Sequence, residues 1–153
     1  MSYMPSQDRN CMATKLKKIL VPFDGSKNSL KGVDLAIRLA TPHDASVTIF
    51  HVVPLSHSYG FPLTNDFHKL AQRKANGIIQ DALNYIKKRD VQIKSKILFG
   101  DKIGSTIVKF SSHNKFDLIV ICSRGLSSRM ERFLGSVSNY VIHNSKISVV
   151  LVR

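Results

Sequence analysis

The sequence lacks several features that would place it in a specialised class of protein. Its 153 residues include no tryptophan, and its two cysteines, Cys11 and Cys122, form neither a metal-binding spacing nor a disulfide framework. No apolar run reaches the roughly 18 residues of a membrane-spanning helix, and the first residues lack the apolar stretch of a secretory signal. We therefore expect a protein of the reducing cytoplasm without membrane association.

Acidic residues are also scarce. Ten Asp and Glu stand against 23 Lys and Arg, which gives a formal net charge of +13. A surface of this sign attracts phosphates, nucleic acids and other polyanions. An ordinary basic, soluble surface is the alternative, because the basic residues are spread along the chain and not gathered into one tail.

Length and composition favour a single folded domain. With 153 residues, 43% of them hydrophobic, the chain can bury a core without disulfides or metals. Residues 1–14 are polar, lack periodicity and contain Pro5, which indicates a disordered leader. Translation could begin at Met1, Met4 or Met12, and the folded domain spans residues 15–153 in each case.

Apolar runs and alternating segments predict five strands. Four runs lie at Lys18–Phe23, Val47–Val53, Asp117–Ile121 and Ile147–Val152. Apolar and polar residues alternate from Val91 to Phe99, which predicts a half-exposed strand near an edge of the sheet.

Apolar residues at spacings of three and four predict four helices between these strands. They are Leu30, Val33, Ile37 and Ala40 in the first helix, Phe67, Leu70, Ala71, Ile78, Ala82 and Ile86 in the second, Ile103, Ile107 and Phe110 in the third, and Val137, Tyr140 and Val141 in the fourth. The alternation of strands and helices predicts an α/β fold, an open parallel sheet with helices on both faces. Ligands of such sheets bind beyond the carboxyl ends of the strands, where the strand order reverses.

The loop after the fourth predicted strand has the composition of a phosphate-binding loop. Gly125 permits close backbone approach, and a helix begins at Gly135 or Ser136, where free amides and the helix dipole suit a phosphate. Ser136 and Ser138 add hydroxyl donors. Positive charge comes from Arg124, Arg129 and Arg132. A flexible basic loop with an ordinary serine cap is the alternative.

Three segments together resemble the universal stress protein family. They are KKILVPFDGS from Lys17, the pair Gly135-Ser136 separated from Gly125 by nine intervening residues, and the ending ISVVLVR. Members of that family carry Gly-x2-Gly-x9-Gly-(Ser/Thr) after the fourth strand. The resemblance covers about Lys17 to Arg153. It implies a Rossmann-like sheet of order 3-2-1-4-5, similar to the adenine-nucleotide α-hydrolases, with ATP, alone or with Mg²⁺, bound in the crevice. It also implies a homodimer in which strand 147–152 pairs antiparallel with its two-fold mate.

The resemblance further implies roles for individual residues. Asp24 would bind the ribose, although an Asx-turn beside Gly25-Ser26 is the structural alternative. The residues implied to contact adenine are Pro22, Phe23 and the backbone of Val52. The residues implied to hold the phosphates are Gly125, Gly135, Ser136 and Val137.

Cys122 stands where the family motif has its first glycine. If this position requires a positive φ or backbone contact with the ligand, the side chain weakens ATP binding. In ordinary β conformation a cysteine is a tolerable substitute. The thiol could be redox-sensitive, but a buried, inert thiol is the commoner role.

Three functions fit these residues. The first is an adenine-nucleotide-binding stress or signalling module with little or no catalysis, since no Ser/His/Asp or paired-carboxylate arrangement can be placed. His51, inside an apolar strand, fits a core or site-lining residue better than a metal ligand. The second is a nucleotide-free basic protein that binds nucleic acid or acidic partners. The third is an α-hydrolase-type enzyme, which the loop Asp24–Ser29 supports only weakly because it lacks paired glycines.

Overall fold

The computed structural model of the chain describes residues 15–55, 65–87, 89–124 and 134–153. The predicted leader, most of the loop after the second strand, and Gly125, Arg129 and Arg132 lie outside the described residues. None of the helices found in the described part is long and apolar enough to cross a membrane.

Five parallel strands form one sheet in the order β3-β2-β1-β4-β5. Their bounds are Lys18–Pro22 for β1, Ser46–Pro54 for β2, Ile93–Gly100 for β3, Leu118–Cys122 for β4 and Ser148–Val152 for β5. The predicted fold class and strand order are confirmed. The alternating segment forms β3 at one edge, as predicted, and β5 forms the other.

Four α-helices connect the strands. They are α1 (Lys27–Ala40), α2 (Asn65–Ile86), α3 (Ile103–His113) and α4 (Ser136–Asn144). A short 3₁₀ helix, Thr41–His43, follows α1 and was not predicted. Pro42 lies in its first turn, where the fixed φ of proline and its missing N–H are tolerated.

Two hydrophobic cores cover the two faces of the sheet. Side chains alternate along β1, so Ile19 and Val21 enter the core shared with α1 and α2, whereas Leu20 enters the core shared with α3 and α4. All three are fully buried. A strand with both faces covered must be apolar throughout, which is why these segments are recognisable in the sequence.

Two of the predicted helix faces are wrong in part. In α2 the buried residues are Ala75, Ile79, Ala82 and Ile86, whereas Phe67 and Leu70 are 46% and 53% exposed. The buried stripe of this helix continues toward its start through the half-buried His68 and Ala71, and the His68 ring lies 5.0 Å from that of Phe99 in β3. Phe67 and Leu70 therefore lie beside the face that packs on the sheet. In α4, Val141 is buried but Tyr140 is 41% exposed, because its ring lies over α3 at the surface.

Close packing of α3 on α4 depends on Gly104. A Cβ at this position would lie 2.8 Å from Cδ1 and 3.0 Å from Cβ of Tyr140. We expect Gly104→Ala to lower the free energy of unfolding by about 1–3 kcal/mol, the usual cost of overpacking. Urea denaturation followed by circular dichroism measures this change.

Gly77→Ala is the matched control. Gly77 lies inside α2, and nothing is within 4 Å of the position its Cβ would take. Alanine there should raise stability by about 0.5–1 kcal/mol, because glycine is a poor helix former. Equal effects of the two substitutions would contradict the proposed packing constraint.

Candidate functional site

A cleft of about 350 Å³ opens at the carboxyl edge of the sheet, where β1 has β2 on one side and β4 on the other. The ends of all three strands and the start of α4 line it. The lining residues predicted from the sequence are Pro22, Phe23, Asp24, Val52, Cys122, Arg124, Gly135, Ser136, Val137 and Ser138. The remaining predicted residue, Gly125, lies outside the described part. The structure thus brings the predicted side chains together at the reversal point.

One half of the cleft is apolar. Phe23 and Val52 are buried at its wall, and Ile78 of α2 and Ile107 of α3 reach it from the two faces of the sheet. Ile78 and Ile107 were not predicted as site residues, because apolar residues on the sheet-facing side of a helix are typical of an ordinary hydrophobic core. An apolar slot between two layers suits a flat aromatic group.

The loop after β1 is held by a chain of side-chain caps. The backbone N–H of Ser26 donates to Oδ1 of Asp24 at 3.0 Å, which forms an Asx-turn, and Gly25 takes a φ of 86°. Oγ of Ser26 in turn accepts from the backbone N–H of Ser29 at 3.0 Å and caps α1. The structural alternative for Asp24 is therefore observed, and the same carboxylate lines the cleft.

His51 links β2 to this loop. Its Nδ1 lies 2.7 Å from the carbonyl oxygen of Phe23. Because a carbonyl oxygen only accepts, the hydrogen of this bond lies on Nδ1, and Nε2 is an acceptor in the neutral ring. The backbone N–H of Phe23 also donates to the Phe50 carbonyl at 2.9 Å. His51 is thus a site-lining residue, one of the two roles expected for it.

The start of α4 is fixed to the end of β4 through one carbonyl group. The Ser123 carbonyl accepts from the backbone N–H of Gly135 at 2.8 Å and from Oγ of Ser138 at 3.2 Å. A Cβ on Gly135 would lie 3.2 Å from that same oxygen. A side chain at this position would therefore press on the Ser123 carbonyl, and helix and strand would have to move apart by a few tenths of an ångström.

The Ser138 hydroxyl, expected to donate to a ligand, donates to backbone carbonyls in the structure. Its Oγ is buried, and it also lies 2.9 Å from the carbonyl oxygen of Gly135, so its single proton serves backbone carbonyls. Among the described residues no side chain caps the N-terminus of α4, whose N-cap is Gly135 and whose first residue, Ser136, is exposed at the cleft. The positive end of the dipole of α4 and the free backbone N–H groups of its first turn face the cleft beside Arg124.

Cys122 is the last residue of β4 and pairs in register with Val152. In the described part of the chain, the non-glycine residues with a positive φ are Asp44 and Lys115. Cys122 is not among them and has the ordinary extended geometry of a strand residue. Its Sγ donates to the carbonyl oxygen of Asn28 in α1 at 2.9 Å. A Cβ on Gly32 would lie 3.1 Å from this sulfur. The strain expected for a cysteine here is therefore absent, and Gly32 makes the room that it needs.

Burial raises the pKa of the Cys122 thiol, and the Asp24 carboxylate raises it further. The backbone N–H of Gly32 and the Lys31 ammonium act in the opposite direction without overcoming the desolvation. The thiol is thus protonated at neutral pH, which favours the inert role over the redox-sensitive one.

This pKa predicts slow alkylation of Cys122. In a Cys11→Ser background, iodoacetamide should modify Cys122 at pH 7.5 at least about tenfold more slowly than the urea-unfolded chain. The rate should rise as the pH passes the raised pKa, because only the thiolate reacts. Mass spectrometry of timed samples measures both rates. Equal rates in the folded and unfolded chains would contradict the prediction.

Comparisons with known proteins agree with this geometry. A model described as the universal stress protein family matches residues 15–153. A universal stress protein of Methanocaldococcus jannaschii is 34% identical over 142 residues, which cover 90% of this chain and 82% of that protein.

Two solved structures share the fold. A universal stress protein in complex with cAMP is 26% identical, with a TM-score of 0.68 over 92% of this chain and 98% of its own. A universal stress protein from Archaeoglobus fulgidus in complex with dAMP is 21% identical, with a TM-score of 0.70 over 92% of this chain and all (100%) of its own. Because the family model matches residues 15–153, well over half of the sequence, the chain belongs to the universal stress protein family.

Proposed function

We propose that this protein binds an adenine nucleotide, ATP in particular, in the cleft, and that the nucleotide acts as an effector of a homodimeric stress or signalling protein with little or no catalysis. The observation that carries the proposal is a single cleft that joins an apolar slot to the uncapped start of α4. A base fits the first and a phosphate the second. Relatives in complex with cAMP and dAMP support the choice of adenine.

The base would lie in the apolar half, between Phe23, Val52 and Ile78. The Asp24 carboxylate stands between this half and the start of α4, where it can accept from sugar hydroxyls. The phosphates would then reach Ser136, the first amides of α4 and Arg124. This order along the cleft follows the order of groups in a nucleotide.

Mg²⁺ would accompany the phosphates in this proposal. Mg²⁺ keeps several of its waters and needs only one or two carboxylates when substrate phosphates bind it. In the described residues no group of three or more His, Cys, Asp or Glu is arranged to hold a metal ion.

The groups most suited to proton transfer in the cleft already have structural partners. Nδ1 of His51 is bonded to the Phe23 carbonyl, and Oγ of Ser29 donates to the Ser26 carbonyl at 2.7 Å. These contacts support binding as the role of the site. We propose the cytoplasm as the compartment, where ATP is plentiful.

Asp24→Ala should weaken ATP binding about tenfold or more, since a charge-assisted hydrogen bond to the sugar is lost. Asp24→Asn is the matched variant, because its side-chain oxygen can keep the Asx-turn with Ser26 while the charge is removed. We expect it to bind ATP more weakly than the parent protein but to unfold at nearly the same temperature. Calorimetric titration at fixed salt, with thermal unfolding as control, measures both effects.

Asp24→Ala could weaken binding by removing the sugar contact or by distorting the loop after β1, and a second ligand distinguishes these two effects. If Asp24 accepts from ribose hydroxyls, Asp24→Ala should reduce the affinity for 2′,3′-dideoxy-ATP much less than the affinity for ATP. Equal losses for the two nucleotides would show that the substitution acts through the loop alone.

The homodimer would form through β5, an edge strand whose unpaired backbone groups invite a partner. The Val152 carbonyl accepts from the Ser123 N–H at 2.8 Å, so the backbone groups of Val152 face β4. Because these groups alternate along a strand, those of Val149 and Leu151 face away from β4. Two antiparallel copies of β5 would use this outer row of groups.

Val149→Pro should therefore give a monomer, because proline removes an outward-facing N–H. Val149→Ala loses most of the same side chain but keeps the N–H, and it should remain a dimer. Light scattering at micromolar protein measures the mass of each, with circular dichroism to confirm that both are folded. A monomeric parent protein would overturn the proposed dimer.

Binding to polyanions is a second proposed function, and one groove favours it. A groove of about 700 Å³ lies between α3 and the C-terminal end of α4, apart from the cleft. Lys109, His113 and Lys146 line it, and no Asp or Glu of the described ranges is among its lining residues.

Replacing Lys109 and Lys146 by Gln should flatten the salt dependence of heparin binding, since fewer counterions are released. The double variant Lys69→Gln/Lys74→Gln, on exposed positions of α2, removes the same charge elsewhere. Equal salt slopes for the two double variants would contradict binding at the groove. Fluorescence titration of labelled heparin at several salt concentrations gives the slopes.

A further inference from the structure

A second, smaller cavity lies at the same edge of the sheet. It measures about 120 Å³ and is lined by Asn28, Lys31, Cys122, Ser123, Arg124, Val152 and Arg153. The larger cleft lies toward β1 and β2, whereas this cavity lies between the first turns of α1 and the ends of β4 and β5. Cys122 and Arg124 line both spaces and form the boundary between them.

The charge of this cavity is of one sign. Lys31, Arg124 and Arg153 line it, and none of the Asp and Glu side chains in the described part of the chain does. Among the described residues, neither Lys31 nor Arg153 has a carboxylate within 4.0 Å. The side chains of Lys31 and Arg153 therefore bring positive charge to this cavity.

The position of Lys31 is supported by its effect on the neighbouring thiol. Its ammonium lowers the pKa of Cys122, against the larger effect of burial. The Asp24 carboxylate also acts on that thiol, but Asp24 lines the larger cleft and not this cavity. Three cations near a confined space repel one another, and an anion between them removes that repulsion.

The walls of the cavity are held in place by hydrogen bonds. The Ser123 N–H donates to the Val152 carbonyl and ties the end of β4 to the end of β5. Sγ of Cys122 donates to the Asn28 carbonyl and ties β4 to α1. The backbone of Ser123 is thereby fixed. In the described part of the chain, its hydroxyl and the Asn28 amide have no hydrogen-bond partner. Both are suitable donors to an oxyanion.

We propose that this cavity is a binding site for a phosphate group, separate from the positions that take the base and sugar in the cleft. A tetrahedral oxyanion offers an acceptor to each wall: to the cations, to the Asn28 amide and to the Ser123 hydroxyl. The phosphate has two sources with the same chemistry, free orthophosphate or the terminal phosphate of a polyphosphate nucleotide that extends from the cleft past Arg124. The first does not depend on nucleotide binding, and the second rests on the proposed function.

The test is direct titration of the full-length protein with orthophosphate at low ionic strength, because salt screens exposed charges. The variant Lys31→Gln/Arg153→Gln changes the cavity without touching Arg124 or other residues of the cleft. We expect it to bind orthophosphate at least about fivefold more weakly, a loss of up to about 1 kcal/mol for each exposed cation. Lys69→Gln/Lys74→Gln is the control of equal charge and should change affinity less than about twofold.

Two further titrations distinguish the sources. If the phosphate belongs to a nucleotide, the cavity variant should weaken ATP binding more than AMP binding, and orthophosphate should compete with ATP. If the phosphate is free, orthophosphate should bind with the same affinity to protein saturated with ATP. Either result supports the site.

The proposal is overturned if the parent protein binds no orthophosphate and the cavity variant leaves the ratio of ATP to AMP affinity unchanged. It is also overturned if the cavity variant and the control weaken orthophosphate binding equally, since the effect is then one of net charge. A protein that binds orthophosphate through Lys31 and Arg153 but binds no nucleotide would contradict the proposed function alone.

Discussion

The reversal of strand order at β1 is the constraint on which the rest of the molecule depends. β2 and β4 flank β1, and the chain leaves β1 to cross one face of the sheet and leaves β4 to cross the other. The loops after these strands therefore diverge and leave a space that neither helix layer fills. Because Leu20 and Val21 are fully buried, β1 itself cannot shift to close it. The cleft is thus a consequence of topology, and the residues around it only decide its chemistry.

Much of this arrangement could be predicted because it depends on patterns that sequence preserves. A strand covered on both faces must be apolar throughout, as Leu118–Cys122 is. Turn residues mark the ends of such strands, as Gly25 does after β1. Prediction failed where apolar residues serve purposes other than burial in a core. Phe67 and Leu70 are apolar and three residues apart in α2, yet they lie beside the buried face, which His68 and Ala71 continue. Periodicity indicates the approximate direction of the buried face, and an apolar residue at its margin can still be exposed.

Polar groups in the site were harder to predict, since a side chain has several partners within reach. Ser138 has the right type and position to contact a ligand, yet its hydroxyl is turned to backbone carbonyls. Cys122 replaces a glycine of the family motif, and the space for its sulfur is supplied by Gly32, far away in sequence. No local rule connects those two positions. Contacts between distant segments decide which member of a motif reaches the ligand.

The single carbonyl of Ser123 that holds both Gly135 and Ser138 also has a thermodynamic consequence. It makes the start of α4 and the end of β4 one rigid unit, and α4 packs on the same core as β5 at the edge of the sheet. A ligand in the cleft and a partner strand at β5 would therefore both act on this unit of β4 and α4. Linkage then requires reciprocity: if a bound nucleotide strengthens subunit association, dilution of the protein weakens its hold on the nucleotide by the same factor. The concentration of the protein would become one of the signals it senses.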